Sequence, residues 1–372
     1  MRVLVATVVH EPRDARVYAR QIGALLEAGH EVTYIAPFSS FEVDPPDNVE
    51  GLTVVDTPAA RGRRRLPALR AARRQLRRLA GHHDVVLMHC PELLLVAWDL
   101  RHPCIVWDVH EDTAAAVTLK AWLPRPIRPA VARMVGFAEG WAERHWHLLL
   151  AEENYATRFD QRHPIVPNST PIPEEVPLSG RDRVVYVGHV TKARGGEALI
   201  EMARLLVGQM SVHLIGHADE EMTPLLLDAV DRGEVIWHGY LPNAQALTVV
   251  QGATAGLSLL RDEPNYRHSR PTKIMEYLAQ GVPVISTPLP LARQMLEDSG
   301  GGVLVPFDDP QAAAHAAQSL AADDDRRAAM AASGRRWVAE HADWNVDGPT
   351  FVAVLEQWAA TGRGEERASD SA

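Results

Sequence analysis

The sequence predicts an α/β protein with two parallel sheets, one in each half of the chain. Short apolar strands alternate with helix-period segments in the first half, a proline-rich segment interrupts them, and the alternation then begins again. Such strands need cover on both faces, which is typical of parallel sheets with flanking helices. A length of 372 residues also favours two domains. We therefore expect two Rossmann-like domains that face each other across a cleft.

The predicted strands of the first half are short and rich in valine, leucine and isoleucine. They are Val3–Val8, Glu31–Ala36, Leu52–Asp56, Val85–Met88, Cys104–Trp107 and Leu148–Ala151. A helix-period segment, Arg16–Ala28, follows the first strand and stops at Gly29, a residue that commonly ends helices. These elements assign residues 1–165 to the N-terminal domain.

The stretch PIVPNSTPIPEEVPLSG separates the two alternations, so residues 166–180 are predicted to be a linker. The strands of the second half are Val184–Val187, Val212–Ile215, Val235–Trp237, Ala255–Leu259, Val282–Ser286 and Gly302–Val305. They define a C-terminal domain at 181–348. The apolar helix at 349–361 is expected to pack back on the N-terminal domain, and 362–372 to be a disordered tail.

Composition excludes several classes of protein. A net charge of −10 argues against a nucleic-acid-binding protein. No apolar run approaches the ~20 residues of a membrane span, and Met1 leads directly into a strand without the features of a signal peptide. Cys90 and Cys104 lack the spacing of a disulfide framework or a zinc site. We therefore expect a cytoplasmic protein with two small buried cysteines.

Basic charge is concentrated in Arg61–Arg78, which holds nine arginines and no acidic residue. Four leucines, three within this segment and one directly after it, recur at helical spacing: Leu66, Leu69, Leu76 and Leu79. The pattern predicts a basic amphipathic helix, which suits peripheral association with an anionic membrane at its inner face. The alternative is a solvated helix that flanks the sheet.

The segment Ser269–Thr287, SRPTKIMEYLAQGVPVIST, carries the clearest chemical signal. A helix that begins near Thr272 offers unpaired N–H groups to an anion, and Lys273 adds a cation. Glu276 lies one turn further on roughly the same face, where it can accept two hydroxyl hydrogen bonds. A ligand that offers a phosphate to the helix start and two neighbouring hydroxyl groups to Glu276 has the features of a nucleotide. The alternative is an ordinary amphipathic helix before a buried strand.

A second cationic loop lies in VVYVGHVTKARGGEALIEMARLL, residues 184–206. Gly188 permits close approach of the backbone to a ligand. Lys192 and Arg194 place cations at the carboxyl edge of the sheet, where open α/β folds bind ligands, and arginine can bind phosphate bidentately. The loop matches neither the dinucleotide fingerprint nor the Walker A pattern. The alternative is a solvated loop.

Three polar segments follow strands of the first half and should meet at one sheet edge. They are HEPRDARVYAR from His10, HCPELL from His89 and DVHED from Asp108. His110 and Glu111 are the best candidates to contact a reacting group, with a structural role as the alternative for His110. No H-E-x-x-H, no G-x-S-x-G and no compact Asp-x-Asp between strands occurs, and Asp323–Asp325 is better explained as a helix cap, so we expect no metal site.

Together these motifs resemble the retaining GT-B glycosyltransferases of the large fourth family. The resemblance covers about residues 1–358 and rests on five segments in the family's order: HEPRDARV with LLEAGHEVTYIAP, MHCPELLL, WDVHED, VGHVTKARGGEALIEMARLL and SRPTKIMEYLAQGVPVIST. It implies a nucleotide-diphosphate sugar as the donor, bound by the C-terminal domain, and no metal cofactor. It also implies a glycan, lipid-linked or small-molecule acceptor, bound by the N-terminal domain.

The resemblance implies roles for individual residues. Glu276 would bind the donor ribose, and the basic positions of the loop after Gly188, here His189 and Arg194, would bind the diphosphate. His110 would face the donor sugar and the acceptor. Family members carry a further glutamate eight positions before Glu276, where this chain has His268, so the contact to the donor sugar is altered.

The expected site residues fall into three groups. The catalytic group is His110, Arg194 and Lys273. The donor-binding group is Gly188, His189, Lys192, Arg194, Thr272, Lys273 and Glu276. The acceptor or sugar contacts are His10, Asp14, Arg16, His89, Glu92, Glu111 and His268. Two alternatives to a glycosyltransferase stay open: a sugar-nucleotide epimerase or hydrolase on the same fold, and a catalytically silent nucleotide-sugar-binding partner of another transferase.

Overall fold

The computed structural model describes residues 1–110, 128–264, 266–267 and 270–369. The chain divides into two compact units, an N-terminal unit of Met1–Asn168 with Val346–Ala372, and a C-terminal unit of Ser169–Asn345. Each unit is built on one six-stranded sheet whose described pairings are all parallel. The two parallel sheets with flanking helices that the sequence predicts are therefore confirmed.

The N-terminal unit contains the first six strands. They are β1 (Arg2–Ala6), β2 (Glu31–Ala36), β3 (Leu52–Asp56), β4 (Val85–Met88), β5 (Ile105–Val109) and β6 (His147–Leu150). The main helices around them are a π-helix (Ala15–Ile22), α1 (Gly23–Glu27), α2 (Arg65–Leu79), α3 (Leu94–Ala97) and α4 (Arg128–His145). Each predicted strand of the first half is present, with ends shifted by a few residues at most.

The C-terminal unit contains the other six strands. They are β7 (Arg183–Val187), β8 (Ser211–Ile215), β9 (Ile236–Trp237), β10 (Ala255–Ser258), β11 (Val284–Ser286) and β12 (Gly302–Leu304). The helices are α5 (Gly196–Leu206), α6 (Met222–Asp231), α7 (Asn243–Val250), α8 (Thr272–Ala279), α9 (Pro290–Ser299), α10 (Pro310–Ala322), α11 (Asp324–His341) and α12 (Trp344–Ser369).

The strand order of each sheet sets the place of its candidate site. The orders are β3-β2-β1-β4-β5-β6 and β12-β11-β10-β7-β8-β9. The direction of winding reverses between β1 and β4 in one sheet and between β7 and β10 in the other. Ligands of open α/β sheets bind at such reversals, because the two adjacent loops turn to opposite faces. His10 and His89 follow β1 and β4, and Gly188 follows β7.

The predicted linker packs within the C-terminal unit. The backbone N–H of Thr170 donates to the carbonyl of Ala342 at 3.0 Å, and that of Gly180 donates to Gly252 at 2.9 Å. The Arg335 guanidinium also binds the carbonyl of Pro173. The boundary of the unit therefore lies after Asn168 rather than at residue 180, because these bonds satisfy the backbone of the extended segment.

The final helix, α12, crosses from one unit to the other. Its residues from Val346 onward pack with the N-terminal unit, where the Trp358 ring stacks on His147 with centroids 4.4 Å apart. The backbone remains helical to Ser369, so 362–369 is helical where the sequence predicts a disordered tail. Arginine, glutamate and alanine, which are good helix formers, make up much of this stretch.

The leucines of α2 form part of the protein core. Leu69 and Leu76 are buried with Ala68 and Ala72 against the sheet, whereas Leu66 is 68% exposed. The expectation that these leucines supply a face for the membrane is therefore wrong for Leu69 and Leu76, because the sheet already covers them. Within the described ranges, no helix has both the length and the apolar character needed to cross a bilayer.

Gly195 is expected to be a costly position to substitute. Its φ is +82°, and a Cβ there would lie 2.0 Å from the carbonyl oxygen of Leu259. Gly195→Ala should lower the free energy of unfolding by about 2–4 kcal/mol, from left-handed strain plus steric overlap. Gly208→Ala is the matched control, since its φ is +77° with no atom near the added Cβ. Equal losses for both variants in urea denaturation would contradict the steric argument.

Candidate functional site

In the N-terminal unit, a carboxylate at the end of β5 organises the loops that follow β1 and β4. Asp108 is buried, and the two nitrogens of the Arg16 guanidinium donate to its two oxygens at 2.8 and 2.6 Å. Gln21 donates to the same carboxylate at 3.2 Å, and His89 Nδ1 lies 3.1 Å from it. Burial alone would raise the pKa of Asp108. The charge of Arg16 and these hydrogen bonds outweigh burial and hold the pKa well below 3.8.

The ionised carboxylate orients the histidines around it. His110 Nδ1 lies 3.3 Å from the Asp108 carboxylate and 3.1 Å from its carbonyl oxygen, and both are acceptors. His110 therefore carries a proton on Nδ1, and its Nε2 lies 3.0 Å from His10 Nε2. The other ring nitrogen of His10, Nδ1, lies 2.7 Å from the Thr7 hydroxyl, so both nitrogens of this ring have a polar partner. Burial, followed by the charge of His110, lowers the pKa of His10 to about 3, so His10 is neutral at pH 7.

Several predicted contact residues of this edge are engaged in intramolecular bonds. Arg16 also donates to Asn168 and to the carbonyl of Val166. The Asp14 side chain accepts from the first backbone N–H groups of the π-helix, so it is a helix cap. Glu92 lies 3.8 Å from Arg65. Glu111 and His268 lie outside the described residues.

His89, Asp108 and His110 could supply three ligand atoms within 4.8 Å of one another. A metal ion there would compete with Arg16, whose guanidinium already binds both oxygens of the carboxylate. A second positive charge at that distance from the guanidinium is electrostatically unfavourable. The residues present therefore fit an ion-paired positioning network better than a metal centre.

In the C-terminal unit, two predicted cations converge on Gly188. A Cβ added to Gly188, whose φ is +137°, would lie 3.1 Å from Lys273 Nζ and 3.6 Å from Arg194 Nη1. Lys273 Nζ is buried, lies 3.8 Å above the centre of the Tyr186 ring, and has no hydrogen-bond partner among the described residues. Burial and then Arg194 hold its pKa well below 10.5, although Glu276 opposes this. The site thus brings the Arg194 guanidinium and the buried Lys273 amine together, and no carboxylate of the described residues forms a hydrogen bond to that amine.

Of the remaining residues expected to bind the donor, some lie near Lys273 and Arg194, whereas Lys192 lies at the surface. Thr272 begins α8, and Glu276 is buried one turn later, where it accepts from Asn243 at 3.2 Å. Burial and then Arg194 lower the pKa of His189, so it is neutral at pH 7. Lys192, in contrast, forms ion pairs with Glu197 at 3.0 Å and Glu221 at 3.7 Å.

Three residues that organise these sites are not among the site residues expected from the sequence. Asp108 interrupts the otherwise apolar strand IVWDV, a pattern that indicates a buried, paired carboxylate. Tyr186 interrupts RVVYV with a hydroxyl, which in the structure donates to the His189 carbonyl at 2.9 Å. Asn243 is the first residue of α7 and carries no local signal for its bond to Glu276.

Known proteins share both this fold and parts of this sequence. Residues 181–323 match the family model described as glycosyl transferases group 1. The phosphatidyl-myo-inositol mannosyltransferase of Mycolicibacterium smegmatis is 25% identical over 94% of this chain and 92% of its own. The protein of the same name from Mycobacterium tuberculosis is 25% identical, over 94% of this chain and 95% of its own.

Solved structures show the same arrangement of strands and helices. Sucrose-phosphate synthase from Thermosynechococcus elongatus has a TM-score of 0.73 and 18% identity, with 97% of this chain and 99% of that one covered. Anabaena HepE, solved in complex with UDP-glucose, has a TM-score of 0.68 and 14% identity, with coverage of 96% and 100%. At these identities the likeness shows the fold.

Asp108→Asn should strongly destabilise the N-terminal unit, because the variant leaves the buried Arg16 charge without a full counter-charge. We expect a loss of about 3 kcal/mol at pH 7. The folded-state pKa is depressed, so this stability is present above the unfolded value near 3.9 and is lost as pH falls below it. The difference between wild type and variant in urea denaturation should therefore shrink at acid pH. Asp99→Asn, at a more exposed site bonded to Arg73 and Arg77, is the control and should lose less.

Proposed function

We propose that this chain, a GT-B glycosyltransferase whose C-terminal unit belongs to the group 1 glycosyl transferases, transfers a sugar from a nucleoside-diphosphate sugar to an acceptor hydroxyl. The observation that carries this proposal is the meeting of Lys273 and Arg194 at Gly188. A buried amine without a hydrogen-bond partner favours an anion beside it. The diphosphate of the donor supplies that anion, and the Gly188 backbone leaves room for it.

The remaining donor contacts lie on α8. Its first N–H groups, near Thr272, add a partial positive charge beside Lys273. Glu276, fixed by Asn243, presents a carboxylate that binds the ribose hydroxyls in this proposal. HepE, solved in complex with UDP-glucose, supports a nucleotide sugar as the donor class.

Transfer needs stabilisation of the leaving diphosphate. Negative charge accumulates there as the bond between the sugar and the phosphate oxygen breaks, and Lys273 and Arg194 stabilise it where a metal ion otherwise would. We propose retention of configuration: the acceptor oxygen bonds to the anomeric carbon on the face that the diphosphate leaves, and a phosphate oxygen accepts the acceptor's proton. His110, fixed by Asp108, is proposed to orient the reacting groups.

We propose a lipid-linked acceptor at the inner face of a membrane. Two relatives are named for transfer of mannose to phosphatidyl-myo-inositol, which supports a glycolipid. The arginine stripe of α2, formed by Arg70, Arg74 and Arg78 at four-residue spacing, is exposed and has no carboxylate partner within the described chain. Leu66, one turn before it, is exposed as well. Such a stripe suits an anionic lipid surface.

Glu276→Gln should weaken nucleotide binding by about 2–3 kcal/mol, because the charge-assisted hydrogen bonds to the ribose are lost. The test is calorimetry with UDP, GDP and dTDP, after thermal-shift screening for the one that raises the melting temperature. Glu297→Gln, on the exposed face of α9, is the control and should bind like wild type.

Transfer from the matching sugar nucleotide should survive EDTA. If Glu276→Gln binds the nucleotide as tightly as wild type, Glu276 does not bind the ribose. If EDTA abolishes transfer, the mechanism is not metal-free.

Changing the arginine stripe to glutamine should reduce binding to anionic vesicles about 100-fold. Each basic residue near such a surface contributes about 1 kcal/mol, and this attraction should vanish near 1 M salt, where the Debye length is ~3 Å. The test is flotation with anionic and zwitterionic vesicles. A control triple removes equal charge from the C-terminal unit, at Arg293, Arg326 and Arg336. Equal losses for both triples, or equal wild-type recovery on both lipids, would count against the proposal.

A further inference from the structure

Tyr186 lies beneath the Lys273 amine of the proposed diphosphate site. Its side chain is fully buried at the end of β7, and its hydroxyl donates to the His189 carbonyl at 2.9 Å. Burial raises its pKa well above 10, so the phenol remains a neutral donor. One face of its ring carries Lys273 Nζ at 3.8 Å from the ring centre. The ring therefore holds the amine away from water and close to Gly188.

The groups that face Lys273 come from three elements. Arg194, in the loop after β7, repels a charged amine, and Glu276, one turn along α8, attracts it. The β7 strand contributes the Tyr186 ring, which supplies no charge. Within the described residues, none of these groups makes a hydrogen bond to Nζ. A protonated amine has three donors, and leaving all three unmet in a buried place is costly.

We propose that Tyr186 is a positioning residue that holds Lys273 as an uncharged amine in the free enzyme, and that Lys273 takes up a proton from solvent when a nucleoside diphosphate binds. This rests on the proposed function, because the diphosphate is the anion that arrives. The balance is simple: one proton leaves the buffer and bonds to Nζ, and no other bond changes. The neutral amine can rest an N–H on the ring face, and the ammonium gains a cation–π contact there.

The electrostatics favour this direction of proton transfer. Burial and Arg194 hold the pKa of Lys273 well below 10.5 in the free enzyme. A diphosphate at Gly188 supplies negative charge and hydrogen-bond acceptors to Nζ, and both raise the pKa of an amine. Binding and protonation are therefore linked, and affinity should fall as pH rises from neutrality towards 9. The neutral His189 adds no fixed charge that would compete with this linkage.

Calorimetry in buffers of different ionisation enthalpy measures the proton uptake. The probe is UDP, GDP or dTDP, whichever binds, at about pH 8, above the second ionisation of a phosphate near 6, so that the ligand does not titrate. Wild type should take up a substantial fraction of one proton per nucleotide. Lys273→Arg should bind with no uptake and with a flat affinity between neutral and alkaline pH, because a guanidinium stays charged.

Two substitutions of Tyr186 separate the role of the ring from that of the hydroxyl. Tyr186→Phe keeps the ring and should retain the uptake. Tyr186→Leu removes the aromatic face, so water reaches Lys273, the amine is charged before binding, and the uptake should fall towards zero while nucleotide still binds. Nucleotide binding by wild type without buffer dependence overturns this inference and leaves the proposed function standing. Failure of every nucleotide to bind wild type overturns both. If Tyr186→Leu still takes up a proton, Tyr186 does not hold the amine uncharged. If Lys273→Arg still takes up a proton, Lys273 is not the proton acceptor.

Discussion

The parallel sheet of each unit brings the carboxyl ends of its strands to one edge, and both candidate sites depend on this constraint. His10, His89 and Asp108 come from segments up to about a hundred residues apart in sequence, yet they meet because β1, β4 and β5 are neighbours. The loop after β7 and helix α8 meet in the same way around Gly188. A fold with antiparallel pairing would send alternate loops to opposite ends and separate these groups.

The two sites treat buried charge differently. In the N-terminal unit, Arg16, Gln21 and the histidines surround the Asp108 carboxylate, so its charge is paired without a ligand. Such a network holds imidazoles in defined orientations, which suits groups that must orient a reactant. In the C-terminal unit, the Lys273 amine makes no hydrogen bond to any residue that the structure describes. One site is thus preorganised by its own residues, whereas the other is left incomplete for an anion to enter.

The sequence predicts the strands and their parallel sheets, because strand periodicity is a local signal. It also predicts that Lys273 and Arg194 lie at the same site, because the start of a helix and the loop after a strand can be recognised locally. It does not predict the hub at Asp108, since partners such as Arg16 and His89 are chosen by tertiary contacts. The leucines of α2 illustrate the same limit: helical spacing is identical for a face on the core and a face on a membrane, and only packing distinguishes Leu69 from Leu66. The sequence also predicts a linker at residues 166–180, whereas most of this segment packs on the C-terminal unit. A proline-rich segment keeps carbonyl groups that a neighbouring helix can bind, as Arg335 binds the carbonyl of Pro173.

The crossing of α12 between units has a consequence for the order in which the protein is completed on the ribosome. All of the C-terminal unit, Ser169–Asn345, is contiguous in sequence. The N-terminal unit begins first but takes Phe351, Leu355 and Trp358 from the last helix, and the first two of these are fully buried. The earlier half therefore carries an uncovered apolar strip until α12 has been made, which is after the whole C-terminal unit. The later half has every one of its own contacts available before translation ends.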